Sequence, residues 1–203
     1  LGGIYLDIVK DRLYTCKSDS VARRSCQTSL DYLLNILVRL IAPILSYTAE
    51  EIWQSSERLK NQEESIFLSN YDLSEINEES AITMSDWNRI FEIKNDVNQS
   101  IEEMRNENQL KGSLDANVFI EANKNDLRIL EKLGAELHFL FICSETNIIE
   151  NNNFKITVKS SDNQKCTRCW HRHESVGTSK KHPDLCNRCI ENVDDEGEKR
   201  SFV

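Results

Sequence analysis

Apolar residues recur at helical intervals in the first part of the chain. Between residues 21 and 41 they step by three, four or seven positions and form one stripe, made of Leu30, Leu33, Leu34, Leu37 and Ile41. An amphipathic helix of this length buries its stripe against neighbouring helices, so the pattern predicts a helical bundle. Pro43 predicts a break, because it restricts the residue before it. Thr48 with Glu51 three positions later has the form of a capping box, which predicts a second helix through Trp53.

A polar and acidic stretch separates this bundle from a second helical pattern. Residues 61–84 are weakly periodic, apart from an apolar island at 66–68, and indicate a loop-rich return to the bundle. Ser85 can cap a long helix that ends before Gly112. The apolar positions of this helix step by three, four or seven residues and are Trp87, Ile90, Val97, Ile101 and Met104.

The next segment has the pattern of a small α+β unit. Residues 118–121, 137–143 and 154–158 are apolar runs that predict strands. Residues 126–133 predict a helix closed by Gly134. The polar residues 147–153 predict the turn between the last two strands, and residues 160–164 predict a linker to the C-terminal tail.

Composition excludes several classes of protein. The most apolar run, residues 33–45, contains Asn35, Arg39 and Pro43, so no membrane span is expected. The opening Leu1-Gly2-Gly3 has neither the basic nor the apolar region of a signal peptide. The first residue is Leu rather than Met, which suggests a segment of a longer chain. An odd number of cysteines, seven, without a secretory signal favours a reducing compartment, and hence the cytoplasm.

Charge is distributed unevenly along the 203 residues. The net charge of −9 argues against a protein that coats nucleic acid by bulk attraction. Residues 1–40 carry +2 and residues 155–188 carry +5, whereas residues 41–154 carry −13 and the remainder −3. Two basic ends around an acidic middle suit an RNA held at two places. An ordinary solvated surface with uneven charge is the alternative.

Two pairs of cysteines carry the most specific chemical signal. Cys166 and Cys169 form one C-x2-C pair, and Cys186 and Cys189 form another, with sixteen residues between the pairs. Each pair can turn two thiolates toward one ion, and two such turns complete a tetrahedron with Zn–S bonds of about 2.3 Å. Four thiolates leave no open position, so one structural Zn²⁺ is expected. Four unligated cysteines are the alternative, and His171, His173 and His182 are competing ligands.

This metal site would decide how the tail folds. About forty residues cannot build a sufficient apolar core, so residues 161–203 are expected to fold as a zinc-ribbon or knuckle module that depends on its metal. Together the patterns predict a mainly α fold in three parts. These are a helical bundle at 1–84, a long helix with a small α+β junction subdomain at 85–160, and the four-cysteine zinc module at 161–203.

Several other residues of the chain are candidates for contacts with ligand or metal. Lys165, Arg168, Arg172 and Arg188 can offset the charge of the four thiolates, and the same cations can face RNA phosphates. Trp170 is either a stacking surface for an unpaired base or the apolar lid of the zinc module. Cys16, Cys26 and Cys143 stand singly and are interpreted as small buried apolar residues without a function.

Motifs along most of the chain resemble one enzyme family. Segments 165–171 (KCTRCWH), 185–189 (LCNRC) and 197–200 (GEKR) resemble the C-terminal zinc module of bacterial isoleucyl-tRNA synthetases. Segments 5–14 (YLDIVKDRLY) and 42–53 (APILSYTAEEIW) resemble the helical anticodon-binding domain of the isoleucine, valine and leucine members of the class I aminoacyl-tRNA synthetases. Segment 112–116 (GSLDA) is similar to the passage that follows that domain.

The resemblance implies a role in reading tRNA. In that family the helical domain binds the anticodon stem and loop, and the zinc module closes over the anticodon. It implies tRNA(Ile) as the partner, the four tail cysteines as zinc ligands, and Trp170 and Arg168 as anticodon contacts. Phosphate contacts are predicted at Lys10, Arg12, Arg23, Arg24 and Arg188; solvated helix faces are the alternative for the first four.

The resemblance implies that catalysis belongs to a part of the enzyme outside these residues. In that family a catalytic domain joins isoleucine to tRNA with ATP and Mg²⁺, and an editing domain accompanies it. A monomer is expected. The chain contains neither an HIGH-like nor a KMSKS-like motif, so no catalytic residue is assigned.

Two rival interpretations remain. The C-terminal finger of formamidopyrimidine-DNA glycosylases has similar cysteine spacing, but that family needs an N-terminal proline and a β-rich front domain. A helical and zinc-ribbon adaptor for proteins would suit the acidic middle, and it would show no saturable, salt-dependent RNA binding.

Overall fold

The structure of the protein, a computed structural model, describes residues 2–61, 63–70 and 80–202. Residues 62 and 71–79, which belong to the predicted loop 61–84, lie outside the described residues. The described elements are mainly helical, as predicted. In chain order they are α1 (Asp7–Thr15), α2 (Val21–Ile41), α3 (Ser46–Ser55), α4 (Glu57–Lys60), α5 (Met84–Asn106), β1 (Ala116–Ala122), α6 (Lys124–Glu131), α7 (Leu137–Phe141), β2 (Glu145–Glu150), β3 (Lys155–Ser160) and α8 (Asn187–Asp194).

The chain divides into two compact units. One contains Leu1–Arg23 together with Ser80–Val203, and the other contains Arg24–Glu79. The unit that holds the cysteine pairs therefore also holds helix α1, from the opposite end of the chain. The spacing of apolar residues does not indicate this connection.

The Arg24–Glu79 unit is built around one tryptophan. Trp53 of α3 is fully buried with Val38, Ala49 and Ile66, and its indole N–H donates a hydrogen bond of 2.8 Å to the carbonyl of Glu63. The break before α3 and the helix through Trp53 are confirmed. The capping box is wrong, because α3 begins at Ser46 with Leu45 at the cap position, and Thr48 lies inside the helix.

The stripe predicted for α2 is only partly the buried face. The helix has the predicted bounds, but Leu34 and Leu37 are exposed, whereas Val38 is buried. Ala22 and Cys26 are buried as well, four residues apart. Small residues therefore line the face that packs, and a prediction that weights large apolar side chains misplaces it.

The larger unit packs the long helix α5 beside a three-stranded sheet. The strand order is β2-β1-β3, with β1 parallel to β2 and antiparallel to β3. Ile90, Ile93 and Val97 of α5 join Val118 and Ile120 of β1 in one buried cluster. The predicted helix is confirmed, but Thr83 caps it in a capping box with Asp86, so the assignment of Ser85 as the cap is wrong.

Two assignments in the small α+β segment are also wrong. Residues 137–143 form helix α7 and its end rather than a strand, and Ile142 closes it in the left-handed region with φ 55°. Four consecutive large apolar residues are compatible with a buried helix or a buried strand, and periodicity cannot separate the two. Residues 145–150 form strand β2, so the predicted turn at 147–153 is shorter. The strands at 118–121 and 154–158 are confirmed. The helix predicted at 126–133 is α6, which ends at Glu131, and Gly134 beyond it has a positive φ of 52°.

Among the described residues, none of the helices combines the length and the apolarity that crossing a membrane would need.

Candidate metal centre and the cleft beside it

The four tail cysteines converge on one point. Their sulfur atoms all lie within 4.8 Å of one another, and all four residues are buried. The Sγ atoms of Cys169 and Cys186 are 3.7 Å apart. A tetrahedral ion with bonds of about 2.3 Å separates its ligands by about 3.8 Å, so the sulfur set fits Zn²⁺. No other group of three or more such ligands occurs among the described residues.

Backbone turns place the sulfur atoms. The amide of Trp170 donates to the carbonyl of Cys166 at 3.0 Å, and the amide of Cys166 donates to the carbonyl of His171 at 2.9 Å, which folds the first pair into a tight turn. Cys186 occupies the cap position of α8, and Cys189 lies in its first turn. The amides and the positive end of a helix N-terminus favour thiolates there.

Electrostatics within the cluster call for a cation. Hydrogen bonds from the thiols of Cys169, Cys186 and Cys189 lower the pKa of Cys166. The contact with Cys166 raises the pKa of Cys189. Four sulfur atoms at this separation cannot all be thiolates without a compensating charge. The cluster therefore holds one structural Zn²⁺ when loaded, as the cysteine spacing predicted.

The competing histidine ligands are engaged elsewhere. The Nδ1 atom of His173 lies 2.7 Å from the hydroxyl of Ser175, and the Nε2 atom of His182 lies 2.9 Å from a carboxylate oxygen of Asp194. His171 is buried, with Nδ1 3.2 Å from the carbonyl of Cys169. None of the three belongs to the metal-binding group.

The three single cysteines are buried, as predicted. Burial raises the pKa of Cys16 and of Cys143 to about 12, and the nearby Glu198 adds to the effect at Cys16. Both thiols therefore stay protonated at neutral pH, which makes them poor nucleophiles.

A buried ionic cluster ties the zinc module to helix α1. The guanidinium of Arg188 donates to both carboxylate oxygens of Asp11, at 2.8 and 2.9 Å, and to Glu198 at 3.0 Å. Arg200 also pairs with Asp11, and its guanidinium lies 3.3 Å from the ring centroid of Phe139. Burial alone would raise the pKa of Asp11, but the charges of Arg188 and Arg200 outweigh it and lower the pKa.

Arg168 makes a second connection between the same elements. Its Nη1 atom donates to the carbonyl of Thr15, at the end of α1, and lies 3.7 Å from the sulfur of Cys189. Lys17 adds a third connection, because its amide donates to the side chain of Asn192 at 3.0 Å. The arginines near the cysteines are thus engaged with other groups of the protein. Arg172, for example, pairs with Asp115 at 2.6 Å.

Trp170 stands apart from the buried residues around it. Its residue is 60% exposed, and Lys165 places its ammonium 5.5 Å from the ring centroid. The small core of the zinc module consists of the four cysteines and Val176, with Leu185 beside them, and does not include Trp170. The alternative in which Trp170 is the lid of that core is therefore wrong.

The remaining cations predicted to contact RNA differ in their exposure to solvent. Lys10 is exposed and pairs with Asp7 at 2.6 Å, and Arg24 is exposed with a hydrogen bond of 3.1 Å to Gln27. Arg12 is only 8% exposed, and Arg23 is half-buried. Arg188 is committed to Asp11. Lys10 and Arg24 thus keep the open positions that phosphate contacts need.

A cleft of about 500 Å³ lies between α1 and the first cysteine turn. It brings together Lys10, Arg168 and Trp170 from the predicted site residues. It also includes residues that the sequence analysis did not assign to the RNA site, among them Tyr14 and His171. The tyrosine could have been noticed, because it is a large side chain on the polar side of a short amphipathic helix.

In a mainly helical chain of this kind, a closed four-cysteine site is a metal centre that holds structure. Residues 1–120 match the family described as the anticodon-binding domain of tRNA ligase, and the chain belongs to that family. Residues 163–192 match a second family, described as a zinc finger found in FPG and IleRS.

Similar proteins cover the whole chain. It is 40% identical to an isoleucine--tRNA ligase of Francisella philomiragia, 42% identical to one of Hahella chejuensis and 41% identical to one of Dichelobacter nodosus. In each case 100% of this chain is aligned. The chain spans only 22–23% of the length of these relatives.

Proposed function

We propose that this chain recognises the anticodon stem and loop of tRNA(Ile) as the tRNA-reading part of an isoleucine–tRNA ligase. The match of residues 1–120 to an anticodon-binding domain carries the proposal. The relatives that align over the full chain bear the name of that ligase, which supports isoleucine as the amino acid. The chain itself supplies binding and no chemistry.

The surface beside the zinc offers the groups that RNA binding needs. Trp170 is an exposed aromatic ring on which an unpaired base can stack, which contributes about 1 to 3 kcal/mol. Lys10 and Lys165 lie near it as exposed cations for phosphates. Arg24 is a further phosphate contact, whereas Arg168 and Arg188 serve mainly to hold the protein together and Arg12 is buried.

The division of labour follows the three parts predicted from sequence. Residues 1–84 would grip the anticodon stem and loop, residues 85–160 would join the parts, and residues 161–203 would close over the anticodon. In the complete ligase, a catalytic domain would use ATP and Mg²⁺ to join isoleucine to the tRNA, and an editing domain would accompany it. We place that reaction in the cytoplasm and expect a monomer.

The glycosylase alternative draws on the finger alone. The family that matches residues 163–192 names FPG as well as IleRS, so the zinc module does not separate the two. The helical region does, because it matches the anticodon-binding family.

Equilibrium binding to tRNA tests the proposal. The zinc-loaded chain should bind tRNA(Ile) saturably and more tightly than a tRNA(Val) control. The logarithm of its association constant should fall linearly as the logarithm of salt concentration rises, because phosphate contacts release counterions. A chain that shows no saturable binding, or equal affinity for both tRNAs, would contradict the proposal.

A further inference from the structure

The cleft between α1 and the cysteine turn has the character of a ligand pocket. Its volume of about 500 Å³ lies within the range of about 300 to 1,000 Å³ that small ligands occupy. Ile8, Leu114, Phe139 and Ile142 supply apolar walls. The cleft lies entirely within the unit formed by Leu1–Arg23 and Ser80–Val203.

Two aromatic side chains from different elements border this cleft while remaining exposed. Trp170 belongs to the cysteine turn, and Tyr14 belongs to α1 and is 75% exposed. Exposed aromatic rings beside an apolar cleft are suited to planar ligands, which stack on them.

The backbone of Trp170 gives an independent indication that its side chain is used. Its φ of 68° lies in the left-handed region, which disfavours residues with a Cβ atom. Glycine would adopt this turn without that strain. A large aromatic residue at such a position is the kind of local strain that occurs at functional sites.

A buried ring nitrogen in the wall of the cleft lacks a partner. His171 is 7% exposed and lines the cleft, and its Nε2 atom has no hydrogen-bond partner among the described residues. Nδ1 lies 3.2 Å from the carbonyl of Cys169, so Nε2 is the ring atom left for a ligand. A ligand with a polar edge would satisfy it.

Positive charge borders the same cleft. Arg168 lines it, and Lys165 lies over the ring of Trp170. The two carboxylates nearby are neutralised, since Asp7 pairs with Lys10 and Asp11 pairs with two arginines. A planar ligand attached to a phosphate therefore fits better than a neutral or a basic one.

We propose that this cleft receives one unstacked base of the bound RNA, with Tyr14 as a second aromatic wall beside Trp170 and His171 as a polar contact for the edge of that base. The proposal rests on the proposed function, because it assigns the RNA as the source of the base. It adds two residues, Tyr14 and His171, that determine which loop position enters the protein.

A base-deletion series tests the role of Tyr14. The probe is a synthetic RNA hairpin with the anticodon stem and loop of tRNA(Ile), in which each loop base in turn is replaced by an abasic nucleotide. One such removal should weaken binding to the zinc-loaded chain by about 5- to 150-fold. In Tyr14→Ala, removal of the same base should have a smaller effect, because the wall that it contacts is gone.

Phe154→Ala is the matched control. Phe154 is an exposed aromatic residue outside segment 1–84 and outside the lining of the cleft, so this variant should respond to every abasic hairpin as the parent does. If the intact hairpin binds but Tyr14→Ala and base removal are additive at every loop position, the cleft proposal is wrong and the proposed function stands. If the intact hairpin does not bind saturably, both fail.

The polar contact of His171 is tested at the loop position that this series identifies. An analogue of that base without hydrogen-bonding groups on its edge should bind the parent about 5- to 10-fold more weakly than the natural base. His171→Phe should bind both hairpins equally while retaining one zinc per chain. A discrimination that persists in His171→Phe would refute the hydrogen bond. Should that variant lose zinc, equal affinity of the parent for the two hairpins would refute it as well.

Discussion

At the scale of single residues, the strain at Trp170 separates two substitutions that would otherwise look alike. Trp170→Gly removes the ring and relieves the left-handed backbone, whereas Trp170→Ala removes the ring and keeps the strain. In thermal unfolding of the zinc-loaded chain, we expect Trp170→Gly to be more stable than Trp170→Ala by about 1 kcal/mol. Both variants should lose RNA affinity equally. Equal stability of the two would show that the turn is not strained.

Asp11 is the residue on which the junction between α1 and the zinc module depends most. Asp11→Asn leaves the buried guanidinium groups of Arg188 and Arg200 to share the single carboxylate of Glu198 and should destabilise the chain by about 3 kcal/mol. The control is Asp7→Asn, whose solvent-exposed pair with Lys10 should contribute little to stability. Urea unfolding measures both. Similar, small effects would contradict the assignment.

Residue types and spacing were sufficient to find the cysteine site, because four thiolates in two short turns have a fixed local geometry. The same approach missed Asp11, whose partners lie 177 and 189 positions away in sequence. A salt bridge of that separation leaves no periodic trace. For the same reason the sequence proposed Arg188 as an RNA contact, although the fold directs it into the protein.

At the scale of elements, helix α5 is capped by Thr83 rather than by Ser85, the residue that the sequence predicted. Thr83 accepts a hydrogen bond from the amide of Asp86 at 3.1 Å, so Thr83→Ala should destabilise the chain by about 1 kcal/mol. Ser85 lies inside the helix and is exposed, so Ser85→Ala should change stability by less than about 0.5 kcal/mol. A larger loss from Ser85→Ala would restore Ser85 as the cap.

Zinc removal should affect two elements that are distant in sequence. Without metal, the cysteine turns and α8 should lose protection from hydrogen exchange, because their core consists largely of the ligands. Helix α1 should lose protection with them, since Arg168, Arg188 and Arg200 hold it. Helix α3, in the other unit, provides the control and should remain protected. Unchanged exchange in α1 after verified zinc loss would contradict this coupling.

Long elements with a regular pattern were predictable, and short apolar ones were not. Helices α2 and α5 were found because their patterns extend over more than five turns. Helix α7 has five residues, four of them buried, and its apolar run fits either a helix or a strand. The choice between helix and strand is made by packing against β1 and α5, which the apolar run does not encode.

At the scale of the whole molecule, the proposed function makes the zinc module and helix α1 one recognition surface. The metal would shape the turn that presents Trp170, Arg168 fixes that turn to α1 through the carbonyl of Thr15, and the cleft between them would offer both rings to RNA. A protein with a net charge of −9 would then bind a polyanion through local complementarity rather than through its overall field.

Reversible zinc removal tests this account most directly. Affinity for the anticodon stem-loop of tRNA(Ile) is measured with the loaded chain, after chelation, and after zinc is restored, with metal content determined each time. Affinity for the stem-loop should fall at least about tenfold on chelation and recover fully with zinc, because the stacking surface depends on the metal-shaped turn. Unchanged affinity in a chain shown to be free of metal would contradict it.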